Sequence, residues 1–192
     1  MLYIFPRDLF PNKAIALIFS ILFIIVLLVE ISILRRKRNT KEDRGSMLFI
    51  LTGIFLPIAI LFLTSYNYFG IFTFKTTYLG IIVLLFGFAL RQLSIYILGK
   101  SFTPAITVSK KQKVIESGPY MYIRHPSYAG LILELLGVAL SLSSWVGFLA
   151  SLLFLIPVMI YRINIEEKLL AKNLSNYKDY MKRTYRLIPF IY

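Results

Sequence analysis

Cysteine is absent from this 192-residue chain, and histidine occurs once, at position 125. The first absence removes disulfides, thiolate nucleophiles and Cys-ligated metals. The second rules out a His-rich metal site, so no metal is expected. Acidic residues are scarce too: 9 Asp and Glu stand against 22 Lys and Arg, for a net charge of +13. That balance points either to nucleic acid or to anionic lipid. Charge is also missing over long stretches, because the charged residues fall into clusters. The first residues, MLYIFPRDLFPNK, lack a basic region ahead of a short apolar core and a small-residue cleavage site. No removable signal peptide is read there.

What is present is apolar. Hydrophobic residues make up 58% of the chain and the mean hydropathy is +0.73. Soluble domains hold about 45–50%. A bilayer span needs roughly 20 apolar residues with the backbone satisfied internally. Five runs answer that description: Ala14 to Leu34, Ser46 to Tyr66, Thr77 to Leu98, Ser127 to Ser143, and Trp145 to about Ile165. Pro57 is expected to kink the second, and Gly99 to end the third. The fourth is the shortest, so it either tilts or re-enters. Ser143 and Ser144 leave almost no loop between the last two, which predicts a tight antiparallel hairpin. The fold class is therefore all-α, a polytopic integral membrane protein with about five transmembrane helices and a C-terminal helical hairpin. One domain is read over 1–192, with 1–76 as a two-span scaffold and 77–192 as the working half.

Basic residues set the orientation. Segment 35–44 carries six Lys and Arg, 99–126 carries five and 162–192 carries seven. The alternate side holds only Arg7, Lys13 and Lys75. Positive charge stays in the cytoplasm, so the N-terminus is expected outside and the C-terminus inside. Bases flanking apolar runs favour headgroups over nucleic acid, and no nucleic-acid partner is expected. The shortness of the chain suggests a prokaryotic plasma membrane.

Three clusters carry possible chemistry. The loop from Gly99 to Pro126 is rich in aromatic and apolar residues, and Ser117, Gly118 and Pro119 mark a turn. Pro126 opens the fourth span, where a helix tolerates proline. His125 then sits at a helix N-terminus, a natural partner for carboxylate or phosphate. An interfacial Tyr/His belt accounts for the same residues. In the second cluster Arg162 and Glu166 are four apart and share one helical face. The tight hairpin brings them to His125 and Tyr128, although a snorkelling arginine beside a solvated glutamate fits them as well. The third is a pair in the membrane. Arg91 and Glu134 lie at similar depth, roughly 10–12 Å below the cytoplasmic face, which makes an ion pair between them possible, either functional or structural. The basic, aromatic tail from Ser175 to Tyr192 is expected to lie along the membrane or fold back over the loop.

Taken in order, these residues resemble the isoprenylcysteine carboxyl methyltransferase family from about Arg91 to Phe190. The resemblance is carried by Arg91, Leu98, Gly99 and Phe102; by Lys113, Val114 and Ile115 with Gly118, Pro119 and Tyr120; and by Arg124, His125, Pro126, Ser127, Tyr128 and Gly130. It continues through Arg162, Glu166, Glu167 and Leu170, then Tyr177, Tyr180, Arg186 and Pro189. The first two spans carry no signature. The resemblance implies S-adenosylmethionine as cofactor, held in a cytoplasmic cap by Lys113, Val114, Ile115, Tyr120, His125, Pro126, Ser127, Tyr128 and Glu166. It implies Arg162 and Glu166 as catalytic residues. Arg162, with the intramembrane Arg91 and Glu134, would face the acceptor. Two positions depart from the family pattern, Ala105 and Glu134, and both bear on the acceptor. The implied activity is methylation of the carboxylate of an isoprenylcysteine-like or other lipidic substrate, reached from the bilayer. A phospholipid or amine N-methyltransferase shares the C-terminal signature. Membrane sterol-type reductases, which use NADPH, resemble the same half, and a non-enzymatic relative is the remaining class.

Overall fold

A computed structural model describes residues 10, 13–34, 46–66, 74–104, 108 and 113–189. Among these the regular elements are all helical; the only pairing of strand type is an isolated parallel bridge between Ile123 and Tyr185. Helix α1 spans Lys13–Leu34, α2 Ser46–Tyr66 and α3 Phe74–Leu98. Then come α4, Pro126–Ser141, α5, Trp145–Ala150, α6, Ile156–Asn173, and the short α7, Tyr177–Arg183. One π-helical turn, Ser151–Leu155, joins α5 to α6 without a break. Pro157 has no N–H to offer the carbonyl four residues back, which accounts for a widened turn there.

Three of these helices are long and apolar enough to cross a membrane: Lys13–Leu34, Thr76–Ser101 and Trp145–Asn173. The apolar stretch of α2, Leu51–Leu61, and helix α4 are shorter. The outward faces are greasy. Ile18, Leu28, Leu63, Ile82, Phe86 and Leu153 are all more than half exposed, which water would penalise and lipid does not. The chain is an integral membrane protein. The proline expected to kink α2, Pro57, lies inside a helix that continues past it.

The core gathers where α1 meets α3 and α4. Phe19, Phe23 and Val26 pack with Phe10, Leu84, Val138 and Leu142. The tightest seam is between α3 and α4. Cβ atoms placed on Gly80, Gly87, Gly130 and Gly137 would stand 2.2 to 2.8 Å from atoms of the facing helix. Small residues let two antiparallel backbones touch, as membrane helices do when no hydrophobic force drives them together. At the far end of α4 the expected hairpin is present. Ser143 turns the chain with φ +52°, and the Ser144 hydroxyl accepts from the Gly147 N–H at 3.1 Å to cap α5.

The pair that equal depth allowed between Arg91 and Glu134 is not formed. Arg91 binds Glu30 of α1, not Glu134: Nε donates to Oε1 at 2.5 Å and NH2 to Oε2 at 2.6 Å. The cause is the seam. Gly130 lies against the Arg91 backbone and Cβ, and the guanidinium ends beside Ser127, about two turns nearer the start of α4 than Glu134. Its NH1 donates to the Ser127 carbonyl at 3.0 Å. Glu134 is buried on α4, and its Oε1 has no hydrogen-bond partner among the described residues.

Candidate functional site

The C-terminal ends of α1, α3 and α6 and the N-terminal end of α4 meet at one end of the bundle, where the polar segments collect. Gly118 makes this possible in the loop. It adopts φ +60°, and any Cβ would strike the Ile97 side chain at 2.5 Å. The 3₁₀ turn that follows, Gly118–Met121, drops Tyr120 into the interior. After it the chain is pinned by the tail. Arg124 N–H donates to the Tyr185 carbonyl at 2.7 Å, His125 N–H to Arg186 at 3.0 Å, and Tyr185 N–H to Tyr122 at 2.9 Å. The tail, as far as Pro189, therefore folds back over the loop.

A knot of charge holds that docking. The Glu167 carboxylate takes Arg124 Nε at 2.6 Å, lies 3.0 Å from the Arg186 guanidinium and 3.4 Å from His125 Nε2. Arg124 NH1 also donates to the carbonyls of Met181 and Thr184. His125 is the residue before the first turn of α4 but caps it with no side-chain bond. Its ring instead stacks on Tyr128, with centroids 5.5 Å apart and planes within 7°.

Tyr128 is the hub. Arg162 Nε donates to its hydroxyl at 2.7 Å, and the hydroxyl donates to Glu166 Oε2 at 2.6 Å. The arginine and glutamate that share a face of α6 are thus linked through a phenol from α4. The Arg162 guanidinium also donates to the Pro104 carbonyl and is 2% exposed. Nearby, burial pushes the phenols of Tyr120, Tyr177 and Tyr180 up, so all three stay protonated at neutral pH. Tyr180 donates its proton to the Tyr120 carbonyl at 2.7 Å.

Two cavities flank the hub. The larger, about 820 Å³ with part of it open to solvent, is walled by the loop, the start of α4, α6 and α7. Lys113, Val114, Ile115, Tyr120, His125, Ser127, Tyr128, Arg162 and Glu166 all line it. Pro126, expected among them, is buried in the first turn of α4 and is not in the lining. Phe102, Thr103, Arg124, Leu170, Tyr177 and Tyr180 also line it without having been assigned a role. The second cavity, about 400 Å³, lies toward the membrane between Ile33, Ile54, Leu131 and Met159, with Arg91 and Arg162 as its charged residues. Glu134 lines neither. The cavities share Phe102, Thr103, Ser127, Tyr128 and Arg162. Ala105, one of the two departures, lies outside the described residues, as do the basic run 35–44 and the last three residues of the tail.

Glu30 and Glu167 are the charged partners that sequence reasoning missed. Glu167 stands next to Glu166 in a quoted motif and offered a signal. Glu30 was a lone acid near the end of an apolar run, at a depth comparable to Arg91.

The model of the isoprenylcysteine carboxyl methyltransferase family matches residues 79–172. A protein-S-isoprenylcysteine O-methyltransferase of Schizosaccharomyces pombe is 34% identical over 122 residues, covering 62% of this chain and 50% of that one. A rice protein, "Probable protein-S-isoprenylcysteine O-methyltransferase" of Oryza sativa subsp. japonica, is 29% identical over 118 residues, 60% of this chain and 62% of its own. The chain thus spans half to about three fifths of the length of these relatives. Among solved structures, a eukaryotic intramembrane Ras methyltransferase superposes with a TM-score of 0.63 at 20% identity, over 93% of this chain and 66% of that one. That likeness establishes the fold. These relatives are eukaryotic, so the expected prokaryotic membrane gains no support from them.

Proposed function

From a chain that belongs, through residues 79–172, to the isoprenylcysteine carboxyl methyltransferase family, we propose a membrane enzyme that methylates the carboxylate of an isoprenylcysteine-like lipid with S-adenosylmethionine. The observation that carries the proposal is the Tyr128 hydroxyl, which joins Arg162 to Glu166 where the two cavities meet. The proposed topology has five crossings, the N-terminus outside and the C-terminus cytoplasmic, resting on the distribution of Lys and Arg.

The larger cavity suits the cofactor by its donor set. Glu166 offers a carboxylate for an ammonium, Tyr120 and Tyr128 offer phenols, and Val114, Ile115, Leu170 and Leu174 offer apolar wall for a purine. Lys113, His125 and Ser127 complete the cradle, with Pro126 setting the direction of the first turn beneath them. When bound, S-adenosylmethionine supplies an electrophilic methyl group on a sulfonium. The chain's own residues do the rest. Arg162 holds the acceptor carboxylate bidentately, and Tyr128 keeps Arg162 and Glu166 in register. The apolar walls exclude water. A carboxylate is already a nucleophile at neutral pH, so no general base is required, and a chain with one histidine suffices. Alignment of the two reactants contributes up to about 7–11 kcal/mol.

Titration calorimetry on detergent-solubilised protein tests the cofactor. Binding of S-adenosylmethionine is expected; binding of NADPH in its place would return the site to a reductase. Glu166→Ala is expected to abolish cofactor binding, and Arg162→Ala to spare binding while removing turnover. Radiolabel transfer to a lipid amine but not to a lipid carboxylate would make the enzyme an N-methyltransferase.

A further inference from the structure

The second cavity contains two guanidiniums, and an anionic lipid head entering it has two places to go. Arg91 and Arg162 both line this space, with Ser127 and Tyr128 between them. They are not equivalent. Arg91 is clasped by Glu30 through two short hydrogen bonds, and its remaining arm reaches Ser127, donating to the carbonyl at 3.0 Å and to Oγ at 3.3 Å. Both partners are at most 8% exposed and lie among apolar helices. There the attraction is scarcely screened, and an unmatched charge is costly. Glu30 lies on α1, outside the residues that the family model matches.

We infer that Glu30 sets the binding mode of the acceptor by matching the charge of Arg91, which keeps the acceptor's carboxylate off Arg91 and leaves it to Arg162. The inference rests on the assignment of Arg162 as the holder of that carboxylate. Without Glu30, Arg91 loses its carboxylate partner in the same apolar cavity and captures the lipid head away from the methyl donor. Such capture is non-productive. It lowers KM and kcat together and leaves kcat/KM nearly unchanged, because it does not alter the energy of the transition state relative to free reactants. A pair serving only the packing of α1 against α3 would instead lower kcat/KM or stability. Glu134 is the other acid near Arg91. Its Oε1 has no partner among the described residues, so it stands ready to substitute in part for Glu30.

The test uses the full chain in detergent with palmitate as a non-reacting carboxylate probe, followed by calorimetry without any cofactor. Glu30→Gln is expected to tighten palmitate binding by about tenfold, as an uncompensated buried cation gains an anion. Glu30→Gln with Glu134→Gln is expected to tighten it further, and Glu30→Gln with Arg91→Gln to return it to the wild-type level. In turnover with a lipid carboxylate, Glu30→Gln is expected to lower kcat and KM by the same factor. Unchanged or weaker palmitate binding in Glu30→Gln, or a fall in kcat/KM with KM constant, overturns the inference. If Glu30→Gln does not accumulate in membranes, Glu30→Asp retracts the charge by one methylene. It is expected to show part of the tightening, and a wild-type affinity there overturns the inference equally. A wild-type chain that transfers no methyl group to any lipid carboxylate defeats the functional proposal alone, since the palmitate titration needs neither cofactor nor turnover.

Discussion

Between α3 and α4 the chain packs backbone against backbone; at the polar end of the bundle it packs charge against charge. The seam uses four glycines and leaves no room for a methyl group. The polar end uses Glu167, Arg124, Arg186, His125 and the Tyr128 hub, which join the loop, α4, α6 and the tail. The difference follows from the solvent. In lipid, proximity and dispersion supply the holding force, and a polar group without a partner is penalised. Near water, hydrogen bonds to charge fix the position of the loop. The seam therefore determines where α4 stands, and the charge knot determines how the loop and tail close around it.

Four variants would break or sharpen that contrast. The largest effect is expected at the seam. Gly137→Leu sets a side chain where Cβ alone would lie 2.4 Å from the Leu84 nitrogen, and the variant should fail to yield monodisperse protein in detergent. If it purified normally, the seam would not organise the fold. Next comes the charge knot. Glu167→Ala leaves Arg124 and Arg186 facing each other, which should cost about 3 kcal/mol. The signature is selective: the tail should become sensitive to protease while α1 to α4 stay resistant. Global unfolding would mean that the two regions are not separable. Third, Tyr128→Phe removes the hydroxyl between Arg162 and Glu166 and should cost about 1–3 kcal/mol. Methyl transfer should fall more than S-adenosylmethionine binding, measured side by side. The smallest effect is at the surface of α7. Asp179 and Lys182 pair at 2.7 Å in full exposure, so Asp179→Asn should leave the unfolding midpoint and turnover where they are.

Much of this was legible in the sequence wherever local rules apply. Ser143 and Ser144 announced the hairpin because no longer loop was available. Arg162 and Glu166 shared a face by helical period alone, and the hairpin carried them to Tyr128. Gly99 marked the end of α3. Long-range choices were harder to see. Four glycines in α3 and α4 are plain in the sequence, yet nothing local says that they face one another. Arg91 had two acids at similar depth, and depth could not choose between them. The choice was made by the seam, which stacks Arg91 over Gly130 and turns its head toward α1. The hub was half visible: Tyr128 was placed beside its neighbours, but the direction of its hydroxyl depends on how α4 rotates against α6.

The five residues common to both cavities have a consequence for what can pass between them. On the proposed reading, the boundary these residues make, with a phenol and a guanidinium on station, is where a cofactor on one side and a lipid on the other would meet. Each reagent would enter and leave by its own door, one wet and one oily, and nothing bulkier than a one-carbon fragment would change hands at the threshold.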